Sequence, residues 1–203
     1  GMAPHAAGSV FLATPLPLSG LVGGVLAFLT VLATAMIYAQ LRTVPRWHHW
    51  SVPLLFLLAA FAGGLLLIGD ATLAPLALAL LAMALLAHWM IGDQRFLAAG
   101  HSSETATGLG ALGRVRQLEP PHTGANYLLR EMVHVVARRH AVKLRVLALG
   151  AAAILPMLLM ILAPGNLAAW LLAIALHLTG MLAARWLFFA EAEHVVGLYY
   201  GRR

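Results

Sequence analysis

The sequence predicts an all-α fold, a polytopic transmembrane helix bundle with about five spans and one interfacial amphipathic helix. Three observations predict it. Of 203 residues, 62% are hydrophobic and 10% charged, where an ordinary soluble domain carries about 25% charged residues. The apolar residues gather into five long uncharged runs, each close to the roughly 20 residues that a helix needs to cross about 30 Å of hydrocarbon. When those runs are taken as alternating spans, all 13 Lys and Arg fall on one side of the barrier. A water-soluble monomer is excluded, because so few charges cannot clothe its surface. Disorder is excluded as well, because disordered chains are poor in apolar residues.

The spans follow in order. The first covers residues 18–40 and the second 52–69, the latter bounded by Trp50 and Asp70. The third, 72–91, has Pro75 in its first turn, where a missing N–H costs little. The fourth, 146–163, contains Pro156, which is expected to kink it. The fifth is 167–190, an uncharged run to Ala184 that continues through Arg185. None shows the period-2 alternation of a strand, and a β-barrel would need many alternating segments of about ten residues. Small residues inside the spans (Gly20, Gly23, Gly24, Gly63, Gly64) are expected to let helices pack closely. The whole chain reads as one membrane domain. No basic region precedes the first apolar run, so no signal peptide is expected.

Charge sets the orientation. Segments 41–51, 92–145 and 185–203 share one face and carry every Lys and Arg, whereas the opposite face holds Asp70 as its one charged side chain. The positive-inside rule makes the basic face cytoplasmic. A net charge of +6 and a pI near 10.8 are therefore read as loop charge of a membrane protein, with no nucleic-acid partner. The absence of Cys excludes disulfides, thiolate metal sites, protein-held iron–sulfur clusters and Cys nucleophiles.

The segment 92–145 is read as a cytoplasmic loop with an amphipathic helix. Gly108-Leu-Gly110-Ala-Leu-Gly113 spells G-x-G-x-x-G, but no strand precedes it and Pro120-Pro121 follows, so it is a Gly-rich loop and not a dinucleotide site. Asn126 is placed as the N-cap of a helix running to His140. Its apolar face (Leu129, Met132 or Val133, Val136) and its basic residues fit an interface helix. Arg114, Arg116, Arg130, Arg138, Arg139 and Lys143 form either a lipid-headgroup face or a docking surface for a soluble partner.

Ten His raise the question of haem b, which needs two imidazoles at similar depth on facing helices. Within spans the candidates are His88 and His177, whose depths differ by about two helical turns, so no haem is expected and no metal site is assigned. Intramembrane ionisable groups are functional hypotheses, which singles out His177. A second group, Arg185, Glu191 and His194, lies beside Trp186 and Phe188 at a membrane edge. Glu191 and His194, three apart, are expected to share a helix face. A quinone pocket needs a proton acceptor beside an apolar slot, and Glu or His supplies one. Aromatic and charged residues anchoring the interface give the competing reading of the same group.

Several strings resemble the dimethyl sulfoxide reductase membrane anchor subunit (DmsC) family. They are Arg42-Thr-Val-Pro-Arg-Trp47, Pro53, Gly63-Gly64-Leu-Leu, Ala106-Thr-Gly-Leu-Gly110, Pro121-His-Thr-Gly124, Asn126-Tyr-Leu-Leu-Arg-Glu-Met132, Ala137-Arg-Arg-His-Ala-Val-Lys143, and the ending from Arg185-Trp-Leu-Phe-Phe-Ala-Glu-Ala-Glu-His194 to Gly201. The resemblance runs from about residue 20 to 201 and matches the last five of the family's roughly eight spans, so the chain reads as a shortened or truncated member. It implies a haem-free, non-catalytic anchor in the bacterial inner membrane that oxidises menaquinol or ubiquinol. Electrons would pass to an iron–sulfur subunit and then to a molybdopterin catalytic subunit. A small transporter, a haem b cytochrome subunit and a structural assembly factor remain the alternatives. The transporter lacks inverted repeats and intramembrane charge.

Overall fold

The computed structural model describes residues 17–116, 118–119 and 140–200. Every described regular element is helical: α1 Pro17–Ala39, α2 Ser51–Leu67, α3 Leu73–Ala98, α4 Ser103–Thr107, α5 Ala141–Leu149, α6 Leu155–Leu162 and α7 Leu167–Ala190, with a short 3₁₀ turn at Gly110–Leu112 and another at Val195–Tyr200. A π-helical turn, Gly150–Ile154, joins α5 to α6 in one continuous rod. Four stretches are long and apolar enough to cross a membrane: Leu18–Ala39, Leu73–Ala98, Ala141–Leu162 and Leu167–Ala190. The fifth apolar run, α2, is a 17-residue helix, about 25 Å at 1.5 Å per residue.

Helix α2 packs on α3. Helix α7 packs on the α5–α6 rod and on α2, and α3 closes the ring against α6 and the π turn. Helix α1 lies outside this ring, against α2. Leu66, Leu78, Leu81, Leu85 and Leu187 fill the centre, fully buried, while Leu21, Phe28, Met83 and Leu182 point outward. The helices thus hide backbone polarity within themselves and offer hydrocarbon to their surroundings, as a bilayer demands.

Two helices run past the apolar segments read as spans. The third helix does not stop at Ile91 but continues to Ala98, and the rod that contains the fourth span begins at Ala141, not at 146. Asp93, Arg95, Lys143 and Arg145 are therefore helical. They end an apolar run without ending a helix, because partners distant in sequence take up Asp93, Arg95 and Arg145. The amphipathic helix placed from Asn126, with Arg130, Arg138 and Arg139, lies outside the described residues.

Local chemistry accounts for the turns. The Asp70 carboxylate accepts from the N–H groups of Thr72 and Leu73 and so opens α3. The Asn166 side chain accepts from Ala169 N–H and opens α7. The Gly-rich string acts as punctuation: Gly108 closes α4 in the left-handed region and a 3₁₀ turn follows. Close packing holds at Gly63, whose missing Cβ leaves room for the His177 ring, but not at Gly24 or Gly64, which face open space.

Candidate functional site

The basic end of the bundle holds a four-membered charge cluster. Arg46, from the α1–α2 connection, pairs with Asp93 of α3 at 2.5 Å and lies 3.6 Å from Glu191, the C-cap of α7. Arg145 of α5 grips Asp93 with two nitrogens, at 2.5 and 2.7 Å, and Glu191 through Nε at 2.7 Å. Two cations and two carboxylates cancel, which is what allows Arg46 and Glu191 to be only 7% and 6% exposed. Charges withdrawn from water persist only when paired and hydrogen-bonded. The cluster ties four segments together at one end. Gly92 makes room for it, since a Cβ there would overlap the Arg46 guanidinium.

One turn deeper, Arg185 has no carboxylate partner among the described residues. Its guanidinium carbon sits 4.5–5.0 Å from the ring centroids of Phe189, Tyr38, Phe188 and Phe56, and Nη2 donates to the Tyr38 hydroxyl at 2.6 Å. The ring faces attract the cation and are worth about 2 kcal/mol or more when water is excluded. Its other terminal nitrogen, Nη1, is buried without a hydrogen-bond partner among the described residues, as are Nε and Nη1 of Arg46. Trp47 stacks on Phe188 at 5.2 Å and donates its indole N–H to the Phe188 carbonyl, which pins the connection over this end of α7.

Beneath these cations lies a partly open cavity of about 150 Å³, lined by Phe56, Leu85, His88, Met181, Arg185 and Glu191 among others. A dry cavity of that size holds one six-membered ring. On the other side of Arg46 and Glu191 is a polar cavity of about 310 Å³, lined also by Asp93 and Glu193. An apolar slot and a polar vestibule thus meet at one Arg–Glu pair.

Of the four sequence-based quinol-site candidates, Arg185 and Glu191 line the cavity. His177 does not: it is buried between α7 and the π turn, where its Nδ1 lies 2.6 Å from the Ala152 carbonyl. His194 does not line it either. Helix α7 ends at Ala190, so Glu191 and His194 do not share a helix face, and the His194 ring packs edge-on against Trp47. Sequence reasoning missed Arg46, Asp93 and Arg145, and weighed His88 for haem alone. The one signal it could have used was that Asp93 and Arg145 each lie within a few residues of a span end on one face. Among the docking candidates, Arg114, Arg116 and Lys143 are exposed. No group of three or more His, Cys, Asp or Glu that could hold a metal occurs among the described residues.

The chain is similar to a sulfite dehydrogenase subunit of Allochromatium vinosum. Identity is 29% over 197 residues, which covers 90% of this chain. The chain spans 60% of the length of that relative. No family model matches the chain, and no solved structure matches it.

Proposed function

We propose that this chain is the membrane anchor subunit of a molybdoenzyme complex of the dimethyl sulfoxide reductase type, and that it exchanges electrons with membrane quinone. The observation that carries the reading is the cavity beneath Arg185, an apolar slot for a single ring with a guanidinium in its wall. A quinone head group offers that ring and a carbonyl on its edge. Arg185 supplies a charge-assisted hydrogen bond to the oxygen, Phe56 and Phe188 supply faces to stack on, and the Arg46–Glu191 pair bounds the slot toward the basic face.

In this reading the chain tethers an iron–sulfur subunit and a molybdopterin subunit, holding neither cofactor itself, in the inner membrane of a bacterium. Exposed Arg114, Arg116 and Lys143, with Arg130, Arg138 and Arg139, form the docking surface for the iron–sulfur partner. A second reading is favoured by the similarity to a sulfite dehydrogenase subunit. Sulfite oxidation to sulfate releases two electrons, which would reduce quinone, whereas reduction of an S-oxide consumes two electrons taken from quinol.

The test is affinity purification of the chain from its native membrane, with mass spectrometry and metal analysis. Molybdenum and an iron–sulfur protein are expected to co-purify, and charge reversal at Arg114, Arg116 and Lys143 together is expected to release both. Assays with sulfite and with S-oxides then separate the two directions. A metal-free chain without partners would contradict the proposal.

A further inference from the structure

Three polar side chains lead from the cavity to the basic end of the bundle. His88 lines the cavity and is 3% exposed. Its Nδ1 lies 3.1 Å from Oγ of Ser51, the buried first residue of α2. That Oγ lies 3.0 Å from Nδ1 of His49, in the half-buried α1–α2 connection.

The backbone fixes the direction of these bonds. Ser51 N–H donates to His49 Nδ1 at 3.2 Å. A nitrogen that accepts carries its lone pair there, so the neutral His49 ring keeps its proton on Nε2. The Ser51 hydroxyl therefore donates to the same Nδ1, and its oxygen is left to accept from His88 Nδ1–H. His88 Nε2 then holds a lone pair, and no described residue hydrogen-bonds to it.

We propose that His88, Ser51 and His49 form a proton wire from the cavity to the basic face. Its cavity end rests on the quinone reading above; the wire itself rests on the three hydrogen bonds. A quinol O–H breaks as His88 Nε2–H forms. His88 Nδ1–H passes to Ser51 Oγ, the Ser51 hydroxyl proton passes to His49 Nδ1, and the His49 cation loses Nε2–H to water. The electron that accompanies this proton leaves for the iron–sulfur centre of the partner, so quinol becomes semiquinone as one oxidised cluster is reduced. The wire is reset when the Ser51 hydroxyl turns back toward His49 and both imidazoles regain their starting tautomers.

Burial, with help from nearby Arg95 and His48, holds the His49 imidazole below its ordinary range, so its cation releases a proton readily. At rest the wire is set for outward transfer. Inward transfer would first require turning the Ser51 hydroxyl and giving up the Ser51 N–H contact, so the resting polarity matches quinol oxidation.

Two measurements test this. Long-range proton–nitrogen spectra of the ¹⁵N-labelled full chain in detergent report each imidazole's tautomer. The expected result is His88 protonated at Nδ1 and His49 at Nε2; His88 protonated at Nε2 alone would overturn the wire whatever ligand fills the cavity. In the natively purified complex, Ser51→Ala is expected to lower quinol-driven kcat roughly 100-fold with KM nearly unchanged, and Ser51→Thr to restore it. Full turnover in Ser51→Ala would overturn the wire. Failure of the wild-type complex to react with quinol, with the tautomers as stated, would remove the quinone reading and leave the wire standing.

Discussion

Pro156 has no N–H to offer the carbonyl of Ala152, four residues before it, and the His177 imidazole supplies one from α7 at 2.6 Å. The contact explains a buried polar residue in the middle of a span without appeal to chemistry. A buried carbonyl left unpaired costs about 1–3 kcal/mol, and His177→Ala should lower the stability of the detergent-solubilised chain by that order. Pro156→Ala gives the helix back a donor for the same carbonyl. The two substitutions together should therefore cost less than the sum of their separate costs in a double-mutant unfolding cycle. Additivity within about 0.5 kcal/mol would contradict this role. Arg185 is the opposite case. Its cation is surrounded by four rings, one of its terminal nitrogens has no hydrogen-bond partner among the described residues, and that residue carries the functional reading.

At the scale of elements, α7 and the π turn approach each other backbone to backbone at Gly180. A Cβ on Gly180 would collide with the backbone nitrogen of Ala152, and a backbone cannot step aside as a flexible side chain does. Gly180→Ala should destabilise the chain by about 1–3 kcal/mol, read as a lowered unfolding midpoint, while Gly64→Ala, into open space, should leave it near the wild type. Equal effects of the two would show that α7 does not seat on the π turn. The five helices were legible in the sequence because long uncharged runs admit nothing else in a bilayer. Their ends were not. Asp93 and Arg145 look like loop residues until one sees that they neutralise each other across 52 positions. The site was legible by half for the same reason. Arg185 and Glu191 sit in one local string beside aromatics, whereas Arg46, Asp93 and Arg145 join the cluster through contacts that leave no spacing pattern. His88 was noticed for haem, and its tie to Ser51 spans 37 residues.

At the scale of the whole molecule, charge, cavity and hydrogen bonds converge on one end of the bundle. The Arg46–Asp93–Arg145–Glu191 cluster and the slot beneath Arg185 both lie there, and in the proposed reading a quinone ring would sit next to the face offered to a soluble partner. The central claim is that the slot binds a quinone head group, and Trp89 in its wall makes that measurable. The purified chain in detergent should show saturable quenching of tryptophan fluorescence by a short-chain quinone. Arg185→Gln should weaken that binding roughly 10- to 100-fold, as expected for a lost hydrogen bond from a charged donor. Quenching that never saturates, and that is the same in the wild type and Arg185→Gln, would contradict the account.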